Sequence, residues 1–174
     1  QTRFSFFSAL TPEKKSAVLK YAGLIVAVFT LFTFISAFSY LFTWKADQSL
    51  MADPAMMDRG VEVANWAGKA GYLWSRFLVS RCFGLGSFAL VFLMGAVAYR
   101  LFFWDRHIGL LKTTFITVTG TFLSSLILSA VSMAVGPDTA FGGGLGGDAG
   151  HAVVVWLENL VGGLAVGLIL FALA

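Results

Sequence analysis

Charged residues divide the chain into long apolar stretches, and these stretches predict its membrane-spanning helices. Residues 21–44 carry no charge and would extend about 36 Å as a helix, which exceeds the ~30 Å hydrocarbon core of a bilayer. Residues 82–103, in which the single charge is Arg100 near one end, and residues 113–135 form two similar stretches, and residues 151–174 form a fourth, with charge only in its first turns. The pattern therefore predicts an all-α integral membrane protein with four transmembrane helices.

A further helix is predicted in the long loop, residues 45–81, between the first two spans. From residue 61 to residue 81, apolar residues recur at three- and four-residue steps and polar residues fall on the other face. The apolar face carries Trp66 and Trp74, and the polar face carries Arg76. We expect an amphipathic helix in the membrane interface. The alternative is a cap that packs on its own loop.

The positions of Lys and Arg favour an orientation with both termini in the cytoplasm. Five lie in the loop of residues 45–81, and none lies in the loop of residues 136–150. The other seven lie in residues 1–20, in residues 104–112 or near a helix end: Arg3, Lys14, Lys15, Lys20, Arg100, Arg106 and Lys112. In this topology Trp44 and Trp104 lie at opposite interfaces. Lys45 then reaches the outer headgroups, and Asp47 begins the outer loop.

Composition supports a membrane protein and excludes several other classes. Of the 174 residues, 58% are hydrophobic and 12% are charged, about half the usual charged fraction. The net charge of +3 comes from few residues, so no clustered basic face for nucleic acid is expected. Cys82 is the single cysteine, which excludes an intrachain disulfide. Because the chain begins with Gln1 and stops inside an apolar run, we expect it to be a piece of a longer protein.

The glycine-rich loop of residues 136–150 includes Gly142, Gly143 and Gly146. A phosphate-binding loop would need a Lys and a Ser or Thr after its last glycine, and no Lys or Arg follows Lys112. We expect instead a tight turn that lets the third and fourth spans approach each other. No cofactor or metal site is expected, since His107 and His151 fall on opposite sides of the membrane in this topology.

Two ionisable residues of the fourth span, His151 and Glu158, share a helix face because they are seven residues apart. An ionisable residue inside a span is a functional candidate. The interpretation we favour is structural: Glu158 reaches the headgroups or pairs with Arg76 or Arg81. Further along the same span, Gly163 and Gly167 form a GxxxG pattern, which allows close helix contact and which we expect to pack within the bundle.

Three segments resemble the amino-terminal four-helix membrane domain of FtsK/SpoIIIE-type DNA translocases: "FTWKADQSL", "NWAGKAGYLWSRFLVSRCFGLGSF" and "GGGLGG". The resemblance covers residues 18–174. It implies an anchor in the bacterial inner membrane, at the division septum, for a protein of cell division and chromosome segregation. It also implies contacts with other division proteins and a hexameric motor outside these residues. ATP, Mg²⁺ and DNA would bind in that motor, and no catalytic motif of the family matches here.

The sequence leaves two other functions open. A small transporter or channel subunit would use Glu158 in its pathway. A membrane enzyme acting on lipid or cell-wall precursors would use the loop acids Asp47, Asp53, Asp58 and Glu62. Together, the sequence gives the following structural or interface candidates and no catalytic residue: Trp44, Lys45, Asp47, Trp66, Trp74, Arg76, Arg81, Gly142, Gly143, Gly146, His151, Glu158, Gly163 and Gly167.

Overall fold

The computed structural model describes residues 11–50, 60–103, 109–136 and 138–173, and these residues form helices without any strand. A π-helical turn, Arg76–Phe83, and a 3-10 turn, Gly84–Gly86, connect the second α-helix to the third. The α-helices are α1 (Pro12–Leu50), α2 (Gly68–Ser75), α3 (Ser87–Phe102), α4 (Leu110–Val135), α5 (Gly147–Val161) and α6 (Gly163–Leu173). The predicted all-α class is confirmed. Trp104, His107, Asp53 and Asp58 lie outside the described residues.

Helix α1 is longer than the span that the sequence predicts. It has 39 residues and extends about 58 Å, so it continues beyond residues 21–44 at both ends. Asp47 consequently lies inside α1, and the expectation that it begins a loop is wrong. Large apolar side chains such as Ile25 and Phe42 are each 70% exposed, as lipid-facing residues are. Among the described residues, three helical runs and one bent pair are long and apolar enough to cross a membrane.

The helical run from Gly68 to Phe102 turns at Gly84. Trp74 packs against Phe29 of α1, with ring centroids 5.6 Å apart, and Phe88 packs against Phe34, at 6.5 Å. In a straight helix, the 14 residues from Trp74 to Phe88 would span about 21 Å, too far to meet neighbouring turns of α1. The backbone of Gly84 is left-handed, with φ 58°, and allows the turn. Helix α2 therefore lies beside α1 instead of extending α3.

The amphipathic helix predicted over residues 61–81 is shorter than expected. Its α-helical part begins only at Gly68, and residues 61–67 are irregular. The face that it buries is also different, because Tyr72, Ser75 and Val79 are buried whereas Trp66 is 67% exposed. Side chains of α1 accept hydrogen bonds from three backbone N–H groups of this irregular segment, those of Ala64, Asn65 and Trp66.

The predicted fourth span, residues 151–174, is two helices. Helix α5 begins at Gly147, before the predicted start, and is followed by α6 at an angle of 120°. Gly162 has φ 85°, and its N–H donates to the carbonyl oxygen of Glu158 at 2.8 Å, which ends α5. The helices extend about 22 Å and about 16 Å, so neither alone reaches across a ~30 Å hydrocarbon core.

Helix α6 packs on the bundle through residues other than its GxxxG pattern. Val166 and Leu170 are buried in a cluster with Leu126 of α4 and Val154 of α5. Gly163 and Gly167 are exposed, and no described atom lies within 4 Å of a Cβ placed on Gly167. The expectation that this pattern packs within the bundle is therefore wrong, since branched side chains form the contact.

Candidate interaction site at the loop end

The loop end of the bundle comprises residues 36–50 of α1, residues 60–67 and residues 138–147. Asp47 is its most buried acid, with a side chain only 1% exposed. Its carboxylate accepts hydrogen bonds from the backbone N–H of Ala64, at 2.6 Å, and of Asn65, at 3.0 Å. Bonds from two N–H groups to an ionised carboxylate are stronger than neutral ones. Asp47 therefore holds the irregular segment on α1, so it is not free to act as a loop acid in catalysis.

Asn65 continues this attachment from the loop side. Its side chain is 3% exposed, its Nδ2 donates to the carbonyl oxygen of Ser36, and its Oδ1 accepts from the N–H of Ala67, both at 3.0 Å. The next N–H, of Trp66, donates to Oγ of Ser39 at 3.0 Å. The backbone of residues 64–67 is thereby fixed. The indole of Trp66 is exposed, and its ring centroid lies 6.2 Å from that of Phe38.

The serines of this network were missed by the sequence prediction, although a signal for them exists. Polar residues recur in α1 at steps of three and four through an otherwise apolar helix. They are Thr33, Ser36, Ser39, Thr43 and Asp47. Such a stripe marks the face that meets protein instead of lipid. Asn65 carried no comparable signal, because its neighbours in the sequence predicted a solvent-facing position on a helix.

Tyr40 joins α1 to the glycine-rich loop. Its hydroxyl donates to the carbonyl oxygen of Phe141 at 3.0 Å, and its ring lies 5.8 Å from the ring of Tyr72. Trp44 adds an edge-on contact with the ring of Phe141 at 6.3 Å. Residues about a hundred positions apart in the chain are thus fixed against each other at this end.

Asp138 organises the glycine-rich loop from within. Its Oδ2 accepts from the N–H of Leu145 at 2.6 Å, and its Oδ1 accepts from the N–H of Ala140 at 3.1 Å. Burial raises the pKa of this carboxyl. The hydrogen bonds from Leu145, from the Ser132 hydroxyl and from Ala140, with the nearby His151, outweigh burial and bring the pKa below its usual value. The folded loop therefore favours the ionised carboxylate.

The loop glycines bring backbones into direct contact. A Cβ on Gly143 would lie 2.0 Å from the carbonyl oxygen of Ser80, and one on Gly146 would lie 2.1 Å from Oγ of Ser129. The N–H of Leu85 donates to the carbonyl oxygen of Leu145 at 2.9 Å. The loop consequently packs on the π-helical turn and on α4 at distances that no larger residue would permit.

A polar pocket of about 500 Å³ opens between α1, the glycine-rich loop and the start of α5. Two carboxylates and one imidazole face it, and its described lining contains no Lys or Arg. The lining residues are Trp44, Gln48, Asp138, Thr139, Gly142, Gly143, Asp148 and His151. The described residues contain no group of three or more His, Cys, Asp or Glu placed to hold a metal. The lining therefore offers hydrogen-bonding and acidic groups to a polar or positively charged partner.

Lys45 and Trp74 have contacts of their own. The ammonium of Lys45 lies over the Trp44 ring, 5.4 Å from its centroid, as a cation–π contact. Nε1 of Trp74 donates to Oγ1 of Thr33 at 3.1 Å, so this indole is bound to α1. Of the two tryptophans predicted on one face, Trp74 is therefore a packing residue and Trp66 an exposed one.

The remaining predicted residues are spread over three places. Arg76 is half-buried in the π-helical turn, and Arg81 in the same turn is exposed. Glu158 is half-buried near the end of α5, with Oε1 3.5 Å from a Cβ placed on Gly163. His151 and Glu158 are about 10 Å apart along α5. The structure therefore places His151 in the polar pocket and Glu158 at the break between α5 and α6.

Comparison with protein families gives one match, to the 4TM region of DNA translocase FtsK/SpoIIIE, over residues 17–174. The chain belongs to this family. The expected resemblance is thereby confirmed over almost the same residues, and so is a multi-pass membrane protein. Searches of curated proteins and of solved structures found no match. In this 4TM region, the loop end is the place where polar side chains, the exposed Trp66 and the polar pocket come together.

Proposed function

We propose that this chain anchors an FtsK/SpoIIIE-type DNA translocase in the bacterial inner membrane and localises it at the division septum. The observation that carries the proposal is the family match across residues 17–174. Both termini lie in the cytoplasm in this proposal, as the distribution of Lys and Arg favours. The parent protein then acts in cell division and chromosome segregation.

The chain itself performs no chemistry in this proposal. ATP and Mg²⁺ would bind in the motor of the parent protein, which would also contact DNA and assemble as a hexamer. The 4TM region would contact the bilayer and other division proteins, and no nucleic acid. The bonds of Asp47 support a chain without catalytic chemistry, because its carboxylate already accepts hydrogen bonds from two N–H groups of its own chain.

The loop end is the surface that we assign to the division partners. The exposed Trp66 lies on a backbone that Asp47, Asn65 and Ser39 fix. A partner could therefore bind the indole without a further loss of backbone entropy in this segment. Tryptophan is enriched among the residues that dominate binding energies at protein interfaces. The polar pocket next to the glycine-rich loop would accept a basic or polar group of the same partner.

Fluorescence microscopy tests the localisation. The protein, fused to a fluorescent protein, is expected to concentrate at the septum, and Trp66→Ala is expected to lose most of that enrichment while staying in the membrane. Trp156→Ala is the matched control, because Trp156 on α5 is 62% exposed and lies outside the loop end. Uniform membrane fluorescence of the wild type would refute septal localisation. Normal septal fluorescence of Trp66→Ala would refute the role of the loop end.

Cysteine labelling tests the orientation. In a Cys82→Ser background, Glu62→Cys at the loop end should react with an impermeant maleimide from outside intact spheroplasts. Lys14→Cys, which is exposed at the start of α1, should react only after lysis. The reverse pattern would place both termini outside the cytoplasm.

One observation favours the second candidate function, transport. Glu158 is a half-buried carboxyl beside a 120° break, and broken helices with an ionisable residue occur along ion pathways. Proton flux into liposomes that is lost in Glu158→Gln and kept in the exposed Glu62→Gln control would support transport. For the anchor we expect no protein-dependent flux in any of the three proteins.

A further inference from the structure

An apolar groove of about 710 Å³ runs between α1 and α3 on the lipid-facing side of the bundle. Its floor consists of small residues, Ala27, Gly95 and Ala98. Large side chains form its walls, among them Leu31 and Phe92. Phe92 is 71% exposed, so the groove is open to the side and is not an enclosed cavity.

The groove results from how α1 and α3 approach each other. At one end the backbones nearly touch, since a Cβ on Gly23 would lie 2.8 Å from the backbone nitrogen of Phe102. At the other end the rings of Phe34 and Phe88 meet edge to face at 6.5 Å. Between these ends Gly95 has no side chain, and a Cβ there would be in ordinary contact with Cγ2 of Thr30, at 3.8 Å. The space above Gly95 is therefore left open.

The length of the groove matches one leaflet of a bilayer. From Gly23 to Phe34 α1 rises about 16 Å, which is about half of a ~30 Å hydrocarbon core. A transmembrane helix of a partner would need a face along the whole core and room for a cylinder about 10 Å wide. One acyl chain needs only the length of a single leaflet.

The end of the groove near the amino terminus is basic. There the groove continues, past Leu24 and Phe102, into a cavity of about 280 Å³ that Lys20 and Tyr21 line. Lys20 is exposed and is the last charged residue before the uncharged stretch of residues 21–44, which places it at the level of the headgroups. An ammonium group at that level attracts anionic lipid phosphates.

We propose that this groove binds one acyl chain of an anionic phospholipid, whose phosphate lies against Lys20. The apolar lining, the length of one leaflet and the charge at the headgroup end together select this ligand. The inference does not depend on the septal function, because it uses only the membrane location of α1 and α3.

Native mass spectrometry tests the lipid site. The protein is purified in detergent with equal amounts of phosphatidylglycerol and phosphatidylcholine, and bound lipids are counted. We expect one phosphatidylglycerol to be retained per chain. Lys20→Gln should lower that occupancy about fivefold. Gly95→Leu, which fills the floor, should remove the retained lipid.

Two matched variants serve as controls for these changes. Lys112→Gln removes an exposed lysine that does not line the groove. Gly120→Leu adds a side chain where no described atom lies within 4 Å of the Cβ position. Both should keep wild-type occupancy. If Gly95→Leu does not fold, the Lys20→Gln measurement alone tests the proposal, because Lys20 is exposed and its substitution leaves the core unchanged.

Three results would overturn the proposal. The first is equal retention of both lipids by the wild type, and the second is an unchanged occupancy in Lys20→Gln. The third is a wild type that is dimeric together with a Gly95→Leu variant that is monomeric and keeps its lipid, which would assign the groove to a second copy of this chain.

Discussion

Helix α1 is held in two different ways along its length. Near the loop end, buried polar groups fix it: Asp47 and Asn65 bind backbone N–H and carbonyl groups across the contact with residues 60–67. Along residues 23–34, contacts with α3 are between small and apolar residues, such as Phe34 with Phe88. The loop end thus has directional bonds that specify one geometry, whereas the other region has van der Waals contact.

The difference follows from the surroundings of each region. Lipid tails are as apolar as the side chains of α1, so there is no hydrophobic gain in closing the groove beside Gly95. At the loop end, an irregular segment must satisfy its backbone groups, and buried side chains do this. The hydroxyls of Thr33 and Ser36 also donate to carbonyl oxygens four residues earlier, which keeps them paired inside an apolar helix.

Gly84→Ala should have the largest effect on stability, because it would disturb the turn that brings the segments of the loop end together. A Cβ on Gly84 would lie 1.9 Å from the carbonyl oxygen of Leu145, and its φ of 58° disfavours alanine. We expect a loss of about 4 kcal/mol in the free energy of unfolding, measured by titration with a denaturing detergent. Gly120→Ala on α4 is the control and should be neutral or stabilising. An equal loss in both variants would contradict a special role for Gly84.

Asp47→Ala should cause the next largest loss in the free energy of unfolding. It leaves the N–H groups of Ala64 and Asn65 without their acceptor, for an expected loss of about 3 kcal/mol in the same titration. Asp47→Asn keeps one acceptor oxygen and should lose about half as much. The neighbouring Gln48→Ala, at an exposed position, should change stability by less than about 0.5 kcal/mol. A neutral Asp47→Ala would show that the polar network does not hold the loop end.

Asp138→Asn should cost about 2 kcal/mol at neutral pH, through weaker bonds to Leu145 and Ala140. The folded-state pKa of Asp138 lies below 3.8, so its contribution is complete above that value and is lost as the pH falls through the lower folded-state pKa. Thermal melts from about pH 6 to about pH 2 should therefore show a constant difference above pH 3.8, and below it the variant and the wild type should converge. A constant difference across this range would contradict the carboxylate's role.

Trp74→Phe should have the smallest effect that can still separate the two tryptophans. It removes the bond from Nε1 to Oγ1 of Thr33 and should cost about 1 kcal/mol. Trp66→Phe should leave stability unchanged, since the Trp66 side chain is 67% exposed. Equal effects would mean that both indoles pack alike, and that Trp66 is not held ready for a partner.

Much of the architecture could be read from the sequence, and two errors have a clear cause. The uncharged stretches predicted the helices, but hydropathy does not detect the break at Gly162. A glycine has the same hydropathy whether its backbone is helical or, as at Gly162, left-handed with φ 85°. Periodicity likewise placed Asn65 on a polar face. It carries no information on whether Asp47, 18 positions earlier in the chain, accepts its N–H.

The sequence by itself determined that the chain lies in a membrane, since about 30 Å of apolar helix leaves few other environments, and it carried the signature of the family. The tertiary structure decided which polar residues form hydrogen bonds within the chain and which stay exposed on its surface. Hydrogen bonds such as those of Asp47 with Asn65 and of Tyr40 with Phe141 join residues far apart in the chain. Their formation depends on where helices cross, and that depends on close backbone contacts at single glycines.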